Sequence, residues 1–390
     1  MSEINIKGIG IVIDDKIFDK ESEDSIHTIV DNLEELGIPL VKFDRIPPKK
    51  FYESFSEVSF VLLDWKLLMM ENPSQAQKER QYDKNIEFIK SLKNITFAPV
   101  FIFSSEAKED ITDKLVPEGI FNEEADYKNH ILVETKTDLV DTDTLKEKIQ
   151  NWFEEHPSVY ILKSWEESNR KAKNEAFWEL YNSSPSWPKV LWESYERDKV
   201  DEKAGIHSIV NKLILSRAFP LEIDKEKIDI SGEVEPDELK NVLIGTMYLN
   251  KDKIRDPNFV PGDIFKKENE DVYYLNIRPS CDTVVNRSGF DKKLYLVRGE
   301  PIDLEELKNY GRYDEKYGLI ERNTEVILYG LNNHNFVKFN FNVLKVEKTD
   351  TLIKNRITRL IPPYINNVTQ KYSSYLGRIG LPRLPDDIFN

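Results

Sequence analysis

The first 155 residues alternate short apolar runs with stretches whose apolar residues recur at helical spacing. The apolar runs read IGIVID, PLVKF, VSFVLLDW, APVFIFSS and HILVETK, and each has the length of one buried strand. Between the first two runs, Ile26, Ile29 and Leu33 fall on one face of a predicted helix. Strands that alternate with helices predict a doubly wound α/β domain, with a five-stranded parallel sheet covered on both faces.

The pattern changes twice after this domain. Residues 156–240 are helical by period, and we predict a helical connector there. Five tryptophans in or beside this helical region are expected to anchor helix packing: Trp152, Trp165, Trp178, Trp187 and Trp192. From residue 241 the strand candidates NVLIGTMYLN, VYYLNIRPSCD, KLYLVRGEPI, TEVILYGL and FVKFNFNVLKVE are separated by turns, and PPYINNVTQKYSSYLGRIG is a predicted helix. We therefore predict three domains: an α/β domain over 1–155, the connector, and a mostly-β, barrel-like domain over 241–390.

Composition narrows the class of protein. The chain has 390 residues and a net charge of -15, which repels phosphates and argues against a nucleic-acid partner. A single cysteine, Cys281, excludes an intrachain disulfide and a cysteine-rich zinc site. The opening stretch MSEINIKGIG has no long apolar segment, and no run reaches the roughly 18 apolar residues of a membrane span. We therefore expect a cytoplasmic protein with no membrane partner.

Polar side chains stand at the ends of four predicted strands. Asp14 and Asp15 follow the first strand and Asp64 follows the third. Ser104 ends the fourth strand, and Lys136 follows the fifth. The carboxyl ends of strands in a doubly wound sheet open on one crevice, so these side chains are expected to meet. Three carboxylates suit one divalent cation with oxygen ligands, Mg²⁺ or Mn²⁺, and the lysine could balance an added phosphate.

The motifs VIDD, LLDWKL, PVFIFSS and VETK, in this order and on these strands, resemble the receiver domain of two-component response regulators. The resemblance covers residues 1 to about 150. It implies that Asp64 is the phosphoacceptor and that Asp14, Asp15 and the acceptor hold Mg²⁺. It also implies that Ser104 contacts the phosphoryl group and that Lys136 pairs with it.

Some positions depart from the receiver pattern. Leu67 fits the Asp-x-x-Leu that follows the acceptor, but Leu68 and Thr137 stand where receivers usually carry proline. Val133 stands where an aromatic switch residue is common. The metal and acceptor residues therefore match the family, whereas the residues of its conformational switch do not.

The whole chain resembles atypical receiver proteins of bacterial signalling and phage-defence loci. This resemblance implies a signalling switch with a protein-binding output, either phosphorylated on Asp64 or acting as a degenerate receiver through protein contact alone. The expected partner is a histidine-kinase-like ATPase or another protein, and a homodimer stays open. No helix-turn-helix is visible in the sequence, which argues against a transcription-factor output.

Two alternatives concern the α/β domain. The pair Asp14–Asp15 by itself could cap the helix that begins near Ser22 or lie in a solvated loop. A haloacid-dehalogenase-type phosphatase also places an aspartate after its first strand, but it needs Asp-x-Asp, and here Lys16 follows the pair.

Two further alternatives invoke a nuclease or an effector enzyme. A PD-(D/E)XK nuclease would use Glu134 and Lys136 with Asp126 upstream, although so short a motif arises readily by chance. An effector enzyme, either a nuclease or a toxin-like hydrolase, could instead occupy residues 241–390, whose layout faintly resembles SH3-like barrels of bacterial toxin and defence proteins. Its candidate site would join Cys281 and Asp282 with His334 or Arg278. We favour the alternative in which the cysteine is a small buried apolar residue.

Overall fold

The structure is a computed structural model of the chain. It describes residues 8–19, 21–22, 24–67, 73–123, 128–218, 223, 228, 234–255, 259–266, 271–282, 293–309, 313–314, 318–319, 324–331, 336–349 and 355–378. The chain forms two compact units, which are described separately. The first comprises residues 1–184 and 210–231, and the second comprises residues 185–209 and 232–390. The predicted domain boundaries at 155 and 240 stay predictions.

The first unit is built on a five-stranded sheet in which every pair of neighbouring strands is parallel. Its strands are β1 (Gly10–Ile13), β2 (Leu40–Phe43), β3 (Phe60–Leu63), β4 (Val100–Ser104) and β5 (Ile131–Thr135). The strand order is β2-β1-β3-β4-β5, that of flavodoxin-like doubly wound sheets. The predicted parallel α/β sheet is confirmed.

Helices cover both faces of this sheet. They are α1 (Ile26–Glu35), α2 (Gln75–Leu92), α3 (Lys108–Leu115) and α4 (Thr142–Glu155). Because successive strand side chains point to opposite faces, Ile11 and Ile13 of β1 enter one core and Val12 enters the other. The first core also contains Phe88 of α2, and the second contains Leu33 of α1. Burial on both faces explains why β1, β3 and β4 are nearly continuous apolar runs.

Among the described residues, four helices follow α4 before the next strand. They are α5 (Pro157–Ser183), α6 (Trp187–Arg197), α7 (Glu202–Arg217) and α8 (Pro236–Met247). Of the tryptophans expected to anchor packing, Trp152 belongs to α4 and is buried in the second core of the sheet. Trp165 and Trp178 of α5, however, are 50% and 64% exposed, and Trp192 of α6 is also exposed. The expectation is wrong for these three residues, because helical spacing does not reveal which face has a neighbour to pack on.

The second unit contains a seven-stranded antiparallel sheet. Its strands and the elements between them are β6 (Tyr248–Asn250), β7 (Asp263–Lys266), β8 (Tyr273–Asn276), β9 (Lys293–Ile302), α9 (Leu304–Asn309), β10 (Tyr313–Asp314), β11 (Gly318–Leu319), β12 (Glu325–Tyr329), β13 (Phe336–Lys348), β14 (Arg356–Leu360) and α10 (Tyr364–Leu376). The order is β12-β13-β9-β8-β7-β14-β6, and β10 pairs with β11 separately. The mostly-β character and the closing helix are confirmed, whereas closure into a barrel stays a prediction.

One strand prediction in this unit is wrong. The segment NVLIGTMYLN, residues 241–250, is mostly helix, because α8 continues to Met247 and β6 has only three residues. Pro236 at the start of α8, with Asp237 and Glu238 in its first turn, supplies helix-initiating signals that lie before the quoted segment. An apolar run judged without those flanking residues is ambiguous between helix and strand.

Candidate functional site

The site is built where β1 and β3 end side by side. Asp14 directly follows β1 and Asp64 directly follows β3, and both side chains are buried. The backbone N–H of Asp64 donates to the carbonyl oxygen of Ile13 at 2.8 Å, which ties the two strand ends together. The chain order reverses across this strand pair, so the crevice of the doubly wound sheet opens there.

Local turns orient the two buried carboxylates. The backbone N–H of Lys16 donates to Asp14 Oδ1 at 2.8 Å, and that of Lys66 donates to Asp64 Oδ1 at 3.0 Å. Both are aspartate turns, in which a side chain accepts from the backbone two residues later. Each leaves the second carboxylate oxygen of the aspartate to face the site.

The lysine predicted from the fifth strand lies between these carboxylates. Lys136 begins a short 3₁₀ helix after β5, and its side chain is almost completely buried. Its Nζ donates to Asp14 Oδ2 at 2.6 Å and to Asp64 Oδ2 at 2.9 Å. Ser104, at the end of β4, donates from its hydroxyl to Asp64 Oδ1 at 2.9 Å. Four of the five predicted site residues are therefore joined by direct hydrogen bonds.

The fifth predicted residue, Asp15, completes an acidic cluster. One carboxylate oxygen from each of Asp14, Asp15 and Asp64 lies within 4.8 Å of the other two. Burial raises the pKa of Asp14 to about 6, with the charge of Asp64 adding to the shift and Lys136 opposing it. Burial and the same neighbouring charge also raise the pKa of Asp15. For both carboxylates, burial and the charge of Asp64 together outweigh the lysines that favour ionisation.

The donor set fits a hard divalent cation. Three clustered carboxylates offer only oxygen ligands, which Mg²⁺ and Mn²⁺ prefer. For Lys136, burial alone would lower the pKa, but the facing charges of Asp64 and Asp14 raise it above its usual range. The lysine is therefore charged, but a single ammonium group does not neutralise the whole cluster.

A third carboxylate reaches the same lysine and was missed by sequence reasoning. Asp24 precedes α1, and its Oδ1 lies 3.2 Å from Lys136 Nζ. It stands in a polar loop rather than at a strand end, so the register of the sheet gives no signal for it. The site therefore holds four aspartates, three of which contact the lysine.

An aromatic pair adjoins the site and was also not predicted. Trp65 directly follows Asp64, is fully buried and stacks on Tyr82 of α2 with ring centroids 5.5 Å apart. The Tyr82 hydroxyl donates to Glu106 Oε1 at 2.6 Å, and the Glu106 backbone N–H donates to the Ser104 hydroxyl at 3.4 Å. Val133, at the usual aromatic switch position of receivers, is buried in the core beneath α2 and α3. Tyr82 therefore occupies a place beside the site that no receiver motif predicted.

Glu134 and Lys136, the two described residues of the nuclease alternative, pair with different side chains. Glu134 of β5 pairs with Lys148 at 3.4 Å and with Lys108 at 3.9 Å, whereas Lys136 pairs with the aspartates. Asp126 lies outside the described residues. The described geometry therefore gives the Glu-x-Lys motif no shared site.

The candidate residues of the second unit are only partly described. The side chain of Cys281 and the whole of His334 lie outside the described residues. Asp282 is exposed. Arg278 donates from Nη1 to the carbonyl oxygen of Lys293, and its guanidinium lies 5.1 Å from the centroid of the Tyr295 ring. These contacts tie the arginine to β9, and the catalytic alternative for this unit stays a prediction.

Comparisons with known proteins give no family for the chain. No family model matches it, and no curated protein matches it. One solved structure with a match carries a trimeric coiled-coil segment of yeast Spc42 fused to another structure. It is 12% identical, and the match covers 45% of this chain and 98% of the other chain. Its TM-score of 0.24 is too low to indicate a shared fold. Among the described residues, no helix combines the length and the apolar character that crossing a membrane requires.

Proposed function

We propose that the first unit is a receiver-type phosphoacceptor domain and that Asp64 accepts the phosphoryl group. The observation that supports this proposal is the arrangement around that carboxylate. Lys136 and Ser104 donate to its two different oxygens, and Asp14 and Asp15 stand beside it. Acceptor, cation ligands, lysine and hydroxyl are the groups that phosphoryl transfer to an aspartate needs.

The proposed reaction is a displacement at phosphorus. A carboxylate oxygen of Asp64 attacks the phosphorus of a donor such as acetyl phosphate, and a new O–P bond forms. The bond between phosphorus and the acetate oxygen breaks, and acetate leaves with the electron pair. The product is an acyl phosphate on Asp64, which water later hydrolyses to the carboxylate and inorganic phosphate.

The side chains around the acceptor serve this reaction by charge and position. Lys136 places an ammonium group where phosphoryl oxygens arrive, and the Ser104 hydroxyl offers them a hydrogen-bond donor. Asp14, Asp15 and Asp64 would hold Mg²⁺, which when bound supplies the positive charge that offsets the dianionic phosphoryl group. A buried acidic site without such a cation would repel the donor.

At the level of the cell, we propose a signalling switch of the bacterial signalling or phage-defence type. Its phosphodonor would be a histidine-kinase-like ATPase, and its output would be contact with another protein. The separate second unit supports a division between a regulated domain and an output domain. If Asp64 is never phosphorylated, we propose that the unit is a degenerate receiver that works by protein contact alone.

The test is phosphorylation of the full chain by acetyl phosphate with Mg²⁺, followed by intact-mass measurement. We expect the parent to gain the mass of one phosphoryl group and Asp64→Asn to gain none. Asp19→Asn is the matched control, because Asp19 is an exposed aspartate in the loop after β1, and it should be modified like the parent. Equal modification of the Asp64→Asn variant would exclude this residue as the acceptor.

A further inference from the structure

The ammonium group of Lys136 is fully occupied by carboxylates. It has three N–H bonds, and the structure places three acceptors around them: Asp14 at 2.6 Å, Asp64 at 2.9 Å and Asp24 at 3.2 Å. The first two belong to the proposed phosphoacceptor site. The third comes from the loop before α1 and has no place in the metal cluster.

Asp24 differs from the other two acceptors in its surroundings. Its side chain is 26% exposed, whereas those of Asp14 and Asp64 are almost completely buried. Its contact with the lysine is also the longest of the three. A partly solvated carboxylate can exchange its contact for water at lower cost than a buried one can. Asp24 is therefore the partner that Lys136 can release most readily.

The same carboxylate also accepts a backbone hydrogen bond at the start of a helix. Asp24 Oδ1 accepts from the backbone N–H of Ile26, the first residue of α1, at 2.9 Å. One oxygen atom thus joins the start of α1 to the lysine of the site. A change in the lysine contact alters the position of the group that satisfies this helix terminus.

We infer that Asp24 is a positioning residue that holds the third donor of Lys136 in the unmodified protein and thereby restrains phosphorylation of Asp64. This inference rests on the proposed function. An arriving phosphoryl group needs the ammonium donors and is repelled by every nearby carboxylate. Asp24 both competes for a donor and adds a negative charge, so its two effects act in the same direction.

The decisive variant is Asp24→Asn. Asparagine caps helices as well as aspartate does, so the bond from Ile26 can persist while the charge beside Lys136 is lost. At saturating Mg²⁺ and with acetyl phosphate as donor, we expect modification about three- to tenfold faster than in the parent, the size of one partly screened unit charge. Asp24→Ala should show the same acceleration, although it also loses the cap.

A second readout does not depend on phosphorylation. Mg²⁺ affinity, measured by titration of the metal alone, should fall about three- to tenfold in Asp24→Asn because one attracting charge is removed. Asp19→Asn removes a charge from the same loop but makes no contact with Lys136 among the described residues. It should leave both the modification rate and Mg²⁺ affinity near the parent values.

The outcomes separate this inference from the proposed function. If the parent is modified and Asp24→Asn matches it in both rate and Mg²⁺ affinity, Asp24 is only a helix cap and the inference fails. A slower rate in Asp24→Asn would also overturn it. If not even the parent is modified, the proposed phosphorylation fails, and the restraint inferred for Asp24 fails with it, whatever the Mg²⁺ affinity shows.

Discussion

Each unit of the protein buries aspartates completely, but the two units neutralise them differently. In the second unit, Asp263 at the start of β7 accepts from Arg359 Nε at 2.7 Å, from Arg356 Nη1 at 3.2 Å and from the backbone N–H of Val260 at 3.1 Å. In the first unit, Asp14, Asp24 and Asp64 share the ammonium group of Lys136, and Asp15 lies beside Asp14 and Asp64 in the acidic cluster. A carboxylate saturated by hydrogen-bond donors and neutralised by arginines, such as Asp263, stabilises the fold. A cluster that carries more negative than positive charge favours the binding of a cation. Burial of an acid therefore does not by itself mark a functional site.

Replacing Asp263, the saturated aspartate, should lower the unfolding free energy more than any other change considered below. Asp263→Ala removes the carboxylate that two largely buried guanidinium groups share, so we expect the second unit to lose about 3–5 kcal/mol of unfolding free energy. Hydrogen exchange at the amides of β7 and β14 measures this loss locally. Modification of Asp64 should be unchanged in the same variant while it stays folded. A loss below about 1 kcal/mol would remove the contrast between the two units.

The second prediction concerns how the stability of the first unit depends on pH. His130 precedes β5, and its Nε2 is buried without a hydrogen-bond partner. Burial lowers its pKa from 6.5 to about 4. The unfolded chain therefore binds the proton more tightly, so His130 contributes a stability that is complete above pH 6.5 and is lost as the pH falls toward 4.

Urea unfolding of the parent and of His130→Gln at pH 7 and pH 4 measures this term. We expect the parent to lose up to about 3 kcal/mol more than the variant over this interval. The raised pKa of Asp14 acts with the opposite sign over part of the same range, but it is common to both proteins and cancels in the difference. Parallel pH profiles would show that the histidine does not titrate with folding.

Replacing Asp14 in the first unit should change the unfolding free energy least, and in the direction opposite to the change at Asp263. In metal-free buffer at neutral pH, Asp14→Asn removes a buried like charge from the acidic cluster. We therefore expect the unfolding free energy to rise by about 1–2 kcal/mol, the opposite of the effect at Asp263. The same variant should bind Mg²⁺ more weakly than the parent. Destabilisation of the metal-free variant would mean that Lys136 already neutralises the cluster.

The sequence could predict those features that follow from strand register. Apolar runs located all five parallel strands, and polar residues at the ends of four of them identified the aspartates, serine and lysine that meet in the site. Asp24 and Tyr82 could not be found this way, since a loop and a helix carry them to the site by tertiary packing. The same limit applies to Asp263 and Arg359, which are distant in the sequence and meet through the pairing of β7 with β14.

The place of β14 in the second sheet has a consequence for biosynthesis. Residues 356–360 pair with β7 on one side and with β6 on the other, whereas every strand of the parallel sheet precedes residue 136. At a translation rate of about 5–20 residues per second, the parallel sheet can form on the ribosome long before β14 is made. During that interval β6 and β7 present unpaired edges, on which nascent chains on neighbouring ribosomes could pair. Slow synthesis of the segment between β7 and β14 would lengthen that exposure, and a chaperone bound to the two edges would shield them.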